Sequence, residues 1–367
     1  MIVVNARFLT QQVTGVQRFS IELSIRLKRI FGSEISFVAP QNIIQEDIAE
    51  ELSVIKVGTH IGHFWEQWDL PNYLNRVGKP LLINWGNTGP VMYNNKVTTL
   101  HDITFIRYPR TFSFKFRLLY KLLIPQVIRT SKHLFTVSEF SKKEIAGYYN
   151  LPLNKISVIY NGMDNTGITL QERKHGIPEI LFVGRISREK GVICLLNALN
   201  KVFNRGYFCK LKLVGQCTGY MSTHIHKAYK QLNIEILGAV SFNELKELYS
   251  ANTIGVIPSL HEQCSYVAIE MSMFGIPMIV SDVDALSEMF EDEVNALKIP
   301  LIFDEDFGLE LDEEKLADAI MRLIDDEALR LKLSANAIKN YQERFTLTKM
   351  IDNTINVYEQ LIEQDNA

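Results

Sequence analysis

Pro258-Ser-Leu-His-Glu-Gln-Cys-Ser-Tyr-Val-Ala-Ile-Glu-Met-Ser-Met-Phe-Gly-Ile-Pro-Met-Ile-Val-Ser281 is the stretch on which the reading of this chain turns. Its order is strand, loop, short helix, sharp stop, strand. The apolar run Ile254-Gly-Val-Ile257 supplies the incoming strand, and Met278-Ile-Val280 begins the outgoing one. Gly275 and Pro277 end the helix between them, since Gly tolerates a left-handed cap and Pro has no N–H with which to continue. Two acids, Glu262 in the loop and Glu270 in the helix, flank the loop–helix junction. Open α/β sheets bind ligands at the carboxyl ends of their strands, beside helix N-termini whose unpaired N–H groups attract phosphate. A carboxylate one or two turns into such a helix can accept both hydroxyls of a ribose. The alternative is that both acids are solvated surface charges, as Glu commonly is.

With 367 residues, the chain has room for two or three domains, each with a full core. A hydrophobic content of 47% and a charged content of 22% are those of an ordinary globular protein. Cys194, Cys209, Cys217 and Cys264 show no CxxC or Cys/His ligand spacing, so a reduced, cytosolic chain is expected. The N-terminus runs straight into the strand Ile2-Val-Val4 without a signal-peptide pattern, and no window resembles a membrane span. The net charge of -3 divides unevenly. Residues 1–165 hold 19 Lys and Arg against 12 Asp and Glu, and the remainder holds 20 against 30. A basic half points to an anionic partner or surface on that side. Nucleic acid is not expected, because no recognised nucleic-acid motif accompanies the charge.

Strands and helices alternate through both halves, which predicts an α/β protein with two doubly wound parallel-sheet domains. After the first strand, Thr14-Gly15-Val-Gln-Arg18 forms a loop and a helix follows from about Phe19. Gly15 stands where a first β–α turn brings backbone close to a ligand, or where the chain makes a plain tight turn. His60, His63, Trp65 and Trp68 crowd one segment, which reads first as core packing and second as an acceptor cleft. Val97-Thr-Thr-Leu100 delivers His101-Asp102 to a strand end, where α/β enzymes keep functional groups. From Ile103 through Val137 there is no acid, and Arg107, Arg110, Lys115, Arg117, Lys121, Arg129 and Lys132 are interleaved with aromatic and aliphatic residues. That composition suits a helix lying on an anionic membrane face, or an ordinary core helix with a basic outer side. Ser138 or Ser141 caps the next helix, with Glu144 completing a box to Ser141. The run from Tyr160 to about Gly176 reads as an interdomain linker.

In the second half, Ile180-Leu-Phe-Val-Gly184 leads into Arg185 and then Lys190-Gly191, placing two cations at a strand-end turn. Arg offers a planar fork to phosphate oxygens and Lys a mobile point charge, so the pair suits a diphosphate. Asp282-Val-Asp284 spells a short metal-binding signature, but short motifs recur by chance and no metal is expected.

Taken together, Gly184-Arg185-Ile-Ser-Arg-Glu-Lys190-Gly191, the Glu262–Glu270 element, Gly275-Ile-Pro277, Thr136-Val-Ser-Glu-Phe-Ser141, Asn161-Gly162 and His101-Asp102 resemble glycosyltransferase family 4, the retaining nucleotide-sugar glycosyltransferases of the GT-B fold. The resemblance covers nearly the whole chain in the correct order. It implies two Rossmann-like domains facing each other across a cleft, with residues 1–165 on the acceptor side, 166–345 on the donor side and 346–367 a helix crossing back. It also implies a UDP-, GDP- or dTDP-linked sugar donor, a saccharide or polyprenyl-linked acceptor, and no cofactor. Arg185 and Lys190 would stabilise the leaving diphosphate, Glu270 would hold the ribose and Glu262 would face the donor sugar or its phosphate. His101 would contact the donor sugar, and Gly15 would bring its backbone to the phosphate. Gly184, Ser265 and Tyr266 complete the expected donor-binding set. Gln263-Cys264-Ser265-Tyr266 stands where many relatives have Gly-Phe-Gly, so the sugar is not specified. A sugar-nucleotide epimerase on the same fold, or a non-catalytic nucleotide-sugar-binding subunit, would share much of this pattern. The leading expectation is a hexosyltransferase of surface-polysaccharide synthesis, cytoplasmic and peripheral on the membrane's inner face.

Overall fold

The computed structural model describes residues 2–164, 177–250, 253–304 and 308–366. It resolves into two units, one of residues 1–162 with 347–367 and the other of residues 163–346.

In unit 1 the strands are β1 (Ile2–Asn5), β2 (Ile35–Ala39), β3 (Ile55–Lys56), β4 (Leu81–Asn84), β5 (Lys96–Thr99), β6 (His133–Thr136) and β7 (Ile156–Val158). They pair in the order β3-β2-β1-β4-β5-β6-β7, with every neighbour parallel. Parallel strands are covered on both faces, and β5 and β6 are buried along their whole length. Helix α1 (Gly15–Phe31) starts four residues earlier than the sequence pattern predicts. Gln17 is the reason: its side-chain Oε1 accepts the Thr14 N–H at 3.2 Å and closes the first turn ahead of the apolar stripe. Further helices are α2 (Phe114–Thr130) and α3 (Glu139–Tyr149). Ser138 caps α3, its Oγ accepting the Ser141 N–H at 3.1 Å, while Glu144 pairs with Arg107 at 3.0 Å instead of closing a box.

Unit 2 contains β8 (Glu179–Val183), β9 (Lys210–Val214), β10 (Asn233–Gly238), β11 (Thr253–Ile257), β12 (Met278–Ser281) and β13 (Leu297–Ile299), ordered β10-β9-β8-β11-β12-β13 and all parallel. Its helices include α4 (Val192–Asn204), α5 (Phe242–Ser250), α6 (Tyr266–Met273), α7 (Glu313–Asp325) and α8 (Glu327–Arg344). Apolar residues of α4, α7 and the inner strands form one buried cluster, including Leu195, Leu199, Leu213, Ile254, Leu316 and Ile320. The sequence pattern did not anticipate the antiparallel hairpin of β14 (Leu301–Asp304) and β15 (Gly308–Leu311). Helix α9 (Leu347–Asn366) returns to unit 1, where the buried Tyr358 ring packs between Trp85 and Phe135. The expected linker falls largely on residues 165–176, which lie outside the described residues.

Candidate functional site

In each sheet the neighbours of the first strand leave in opposite directions, so each unit has a switch point at a carboxyl edge, the place where open α/β sheets hold ligands. In unit 2 it lies between β8 and β11, which run side by side with Ile254 opposite Ile180. The turn leaving β8 and the turn leaving β11 are fastened to each other by backbone. Leu260 N–H donates to the Glu189 carbonyl at 3.0 Å. Gly191 opens α4 at φ +70°, and a Cβ there would lie 1.8 Å from the Pro258 carbonyl oxygen, so only glycine fits.

This packing brings Lys190 and Glu262 together, with Nζ 2.6 Å from Oε2 and both side chains mostly covered. Glu262 N–H donates to Asp284 at 3.2 Å, while Asp282 pairs with Lys298 at 2.7 Å. The two acids of the short motif are thus engaged with different partners. Arg185 is exposed just past Gly184. Burial opposes the charge on Glu189, but backbone and Ser187 hydrogen bonds, with the charges of Arg185 and His261, outweigh it and lower its pKa. Ser265 caps α6, its Oγ accepting the Ala268 N–H at 3.3 Å, and Tyr266 is the first helical residue. Glu270 lies one turn further on, buried, and accepts the Tyr249 hydroxyl at 2.8 Å. Gly184, Arg185 and Lys190 therefore stand on the turn after β8, Glu262 and Ser265 on the turn after β11, and Tyr266 and Glu270 on α6, which that second turn opens. Two cations and the start of α6 there form a field suited to an anionic group, and Glu270 is a carboxylate within the same helix.

Unit 1 holds the other two expected residues. Gly15 is the exposed first residue of α1. His101 follows β5, almost fully buried against Phe19, with Nε2 donating to the Trp85 carbonyl at 2.8 Å. Burial drives its pKa down, against the Trp85 hydrogen bond and the Asp102 charge, so the ring is neutral and its Nδ1 is an acceptor. The Asn87 side chain accepts the His101 backbone N–H at 2.8 Å.

Sequence reasoning missed a second cluster in unit 1. Trp65 of the Trp and His segment is buried and Trp68 is exposed, so the segment divides between core and surface. Between them Glu66 sits at 1% exposure on the π-helical turn Trp65–Asp69. It accepts from Asn5 at 2.9 Å, from Arg7 Nε at 3.1 Å and from Thr88 at 2.7 Å. Burial resists its charge, yet Arg7 first, then His63 and Thr88, hold its pKa at about 2. The only sequence signal was an acid between two tryptophans, in a turn class frequent at functional sites.

Residues 177–326 match the family described as glycosyl transferases group 1, and residues 13–166 match glycosyltransferase family 4. An uncharacterised glycosyltransferase of Methanocaldococcus jannaschii is 30% identical over 64% of this chain, and the match spans only 61% of that protein. The O-antigen chain mannosyltransferase of Salmonella typhimurium is 28% identical over 78% of this chain and 84% of its own length. Among solved structures, Anabaena HepE in complex with UDP-glucose superposes with a TM-score of 0.72 at 14% identity, covering 98% of this chain and 99% of that one. With both sheets parallel the fold is of the GT-B type, and each half of the chain matches a glycosyltransferase family, family 4 in the first half and group 1 in the second.

Proposed function

We propose that the protein is a retaining glycosyltransferase that moves a hexose-type sugar from a nucleotide sugar to a saccharide or lipid-linked saccharide, in the synthesis of a surface polysaccharide. The Lys190–Glu262 pair beside Arg185, at the switch point of unit 2, carries this reading. Breaking the anomeric C–O bond builds oxocarbenium character on the sugar and negative charge on the departing diphosphate. Cations already held at the diphosphate stabilise that charge without reorganising during the reaction. A bound diphosphate competes with Glu262 for the Lys190 ammonium, which frees the carboxylate to turn toward the sugar. Glu270 takes the ribose hydroxyls, exchanging its Tyr249 hydrogen bond for them or sharing it. Retention follows from attack on the same face as departure, with the leaving phosphate accepting the acceptor's proton, so no protein nucleophile is assigned. The neutral His101 offers its Nδ1 as an acceptor to a sugar hydroxyl.

The UDP-glucose bound by the Anabaena protein and the O-antigen role of the Salmonella relative support a nucleotide-sugar donor and a glycan acceptor. No helix among the described residues is long and apolar enough to cross a membrane. Helix α2 supports peripheral contact instead: Phe114, Leu118 and Leu122, spaced four apart, are 68%, 50% and 66% exposed on a helix that carries basic residues and no acid. A thermal-shift screen against UDP-, GDP- and dTDP-sugars tests the proposal, because specific binding raises apparent stability. One nucleotide class should raise the melting temperature, and nucleoside diphosphate release should rise with a glycan acceptor. Release at the same rate without any acceptor would favour a hydrolase, and conversion of the donor to an isomeric nucleotide sugar without net release would favour an epimerase.

A further inference from the structure

A cavity of about 160 Å³ opens at the carboxyl edge of the unit-1 sheet, at the switch point between β1 and β4. Its volume is close to the roughly 150 Å³ of an engineered cavity that holds benzene, so it has room for one six-membered ring. The walls include the polar side chains of Arg7, Gln11, Asn87 and Thr88, and Tyr120 lines the cavity as well. We propose that this cavity is the subsite for one uncharged pyranose ring of the acceptor, and that Arg7 determines which ring it takes. The inference rests on the glycosyl-transfer reading and gives the acceptor's class at a named place.

The Arg7 guanidinium is fixed from behind. Nε donates to Glu66 at 3.1 Å and Nη2 to Thr88 at 2.9 Å, and Thr88 itself donates to Glu66 at 2.7 Å. Asn5 adds a further bond to the same carboxylate and also donates to Asn84 at 3.0 Å, tying the cluster to β1 and β4. Glu66 is therefore a positioning residue. Its ionised carboxylate offsets the Arg7 charge and leaves Nη1, which hydrogen-bonds to no described residue, as a directed donor on the cavity wall. A compensated cation with neutral amides and a hydroxyl around it suits ring hydroxyls better than an anion. Asn87 connects the cavity to the reaction: it lines the wall while its side chain accepts the His101 N–H, so a ring seated here lies next to the residue assigned to the donor sugar.

Saturation-transfer NMR on the full chain tests this, with methyl glucopyranoside, galactopyranoside and mannopyranoside as probes. At least one should give ring-proton saturation. Arg7→Lys keeps a charge for Glu66 but loses the fork, and Gln11→Leu removes a wall amide from a partly exposed position. Arg7→Lys should weaken that probe about 10- to 150-fold and Gln11→Leu about 2- to 10-fold, the ranges for losing a charged and a neutral hydrogen bond. Both should retain the melting-temperature rise given by the nucleotide sugar, which also shows that they fold. Lys190→Ala should keep the glycoside signal. The subsite is overturned if no glycoside is saturated, or if a folded Arg7→Lys and Gln11→Leu bind as the parent does. If no nucleotide sugar shifts the melting temperature while a glycoside still binds at Arg7, the transferase reading fails and the subsite stands.

Discussion

Lys190 and Glu262 are seventy-two positions apart and still meet at 2.6 Å, because two strand-end turns are bonded to each other by backbone. A charge held in that way is already in place when the leaving group becomes anionic. Lys190→Ala should therefore lower kcat by about 100- to 1,000-fold, the usual loss for one preorganised electrostatic group, and change the donor KM much less. Steady-state kinetics at saturating acceptor checks this, and an unchanged kcat would remove Lys190 from the mechanism. Glu66 carries a pH signature. Its pKa is about 2 in the fold against an ordinary 4.5, so its stabilisation is complete above pH 4.5 and is lost as pH falls toward 2. The difference corresponds to about 3 kcal/mol. Glu66→Gln should cost a similar amount at pH 7, by leaving the largely covered Arg7 without its counter-ion, and should flatten the acid limb of urea stability measured between pH 5 and 2. Lys190 was legible because its neighbours Gly184, Arg185 and Gly191 share a short span with it. Glu66 was not, because its partners Asn5, Arg7 and Thr88 come from other elements and the Trp and His residues around it read as core packing.

At the scale of elements, the strands ending at Val183 and Ile257 were readable from apolar runs, since a parallel strand covered on both faces has little room for polar residues. Gly191, closing the turn after Val183, was readable only as part of that turn. That Gly191 faces the Pro258 carbonyl required coordinates. Gly191→Ala should destabilise unit 2 by about 2–4 kcal/mol, combining the strain of a left-handed residue with overpacking. Because the displaced turn carries Lys190, nucleotide-sugar affinity should fall with the melting temperature, and a full melting-temperature match with the parent would contradict the packing argument. Helix α2 was readable as basic and amphipathic but not in its division of labour. Phe116 and Tyr120 stack at 4.0 Å toward the interior, while Phe114, Leu118 and Leu122 face outward. Leu118→Glu with Leu122→Glu should abolish co-sedimentation with phosphatidylserine-containing vesicles and leave the melting temperature within about 1–2 °C, as surface changes usually do. Binding to the vesicles that is unaffected by the pair would place any membrane contact elsewhere.

Over the whole molecule, the chain does not divide at a single point in sequence, because α9 completes unit 1 after unit 2 has been built. The resemblance implied a final helix crossing back, but not which side chains it covers. Its Tyr358 ring lies 6.5 Å from Trp85 and 5.5 Å from Phe135, and Trp85 is also the carbonyl that holds His101. Removing residues 347–367 thus uncovers the aromatic wall that fixes His101, while unit 2 keeps both of its strand-end turns. A chain ending at Thr346 should lose stability in unit 1 by several kcal/mol, since burial of a large aromatic side chain contributes about 3–5 kcal/mol in truncation series. Calorimetry should show one transition lowered and another little changed. The retained transition should still rise with the nucleotide sugar, and transfer to acceptor should be lost. A truncated chain that melts as one unchanged transition would mean that α9 contributes nothing to unit 1. Loss of nucleotide-sugar binding along with transfer would mean that the unit-1 contacts assigned to His101 carry most of the donor affinity, and the assignment of Arg185, Lys190 and Glu270 as its main source would have to be given up.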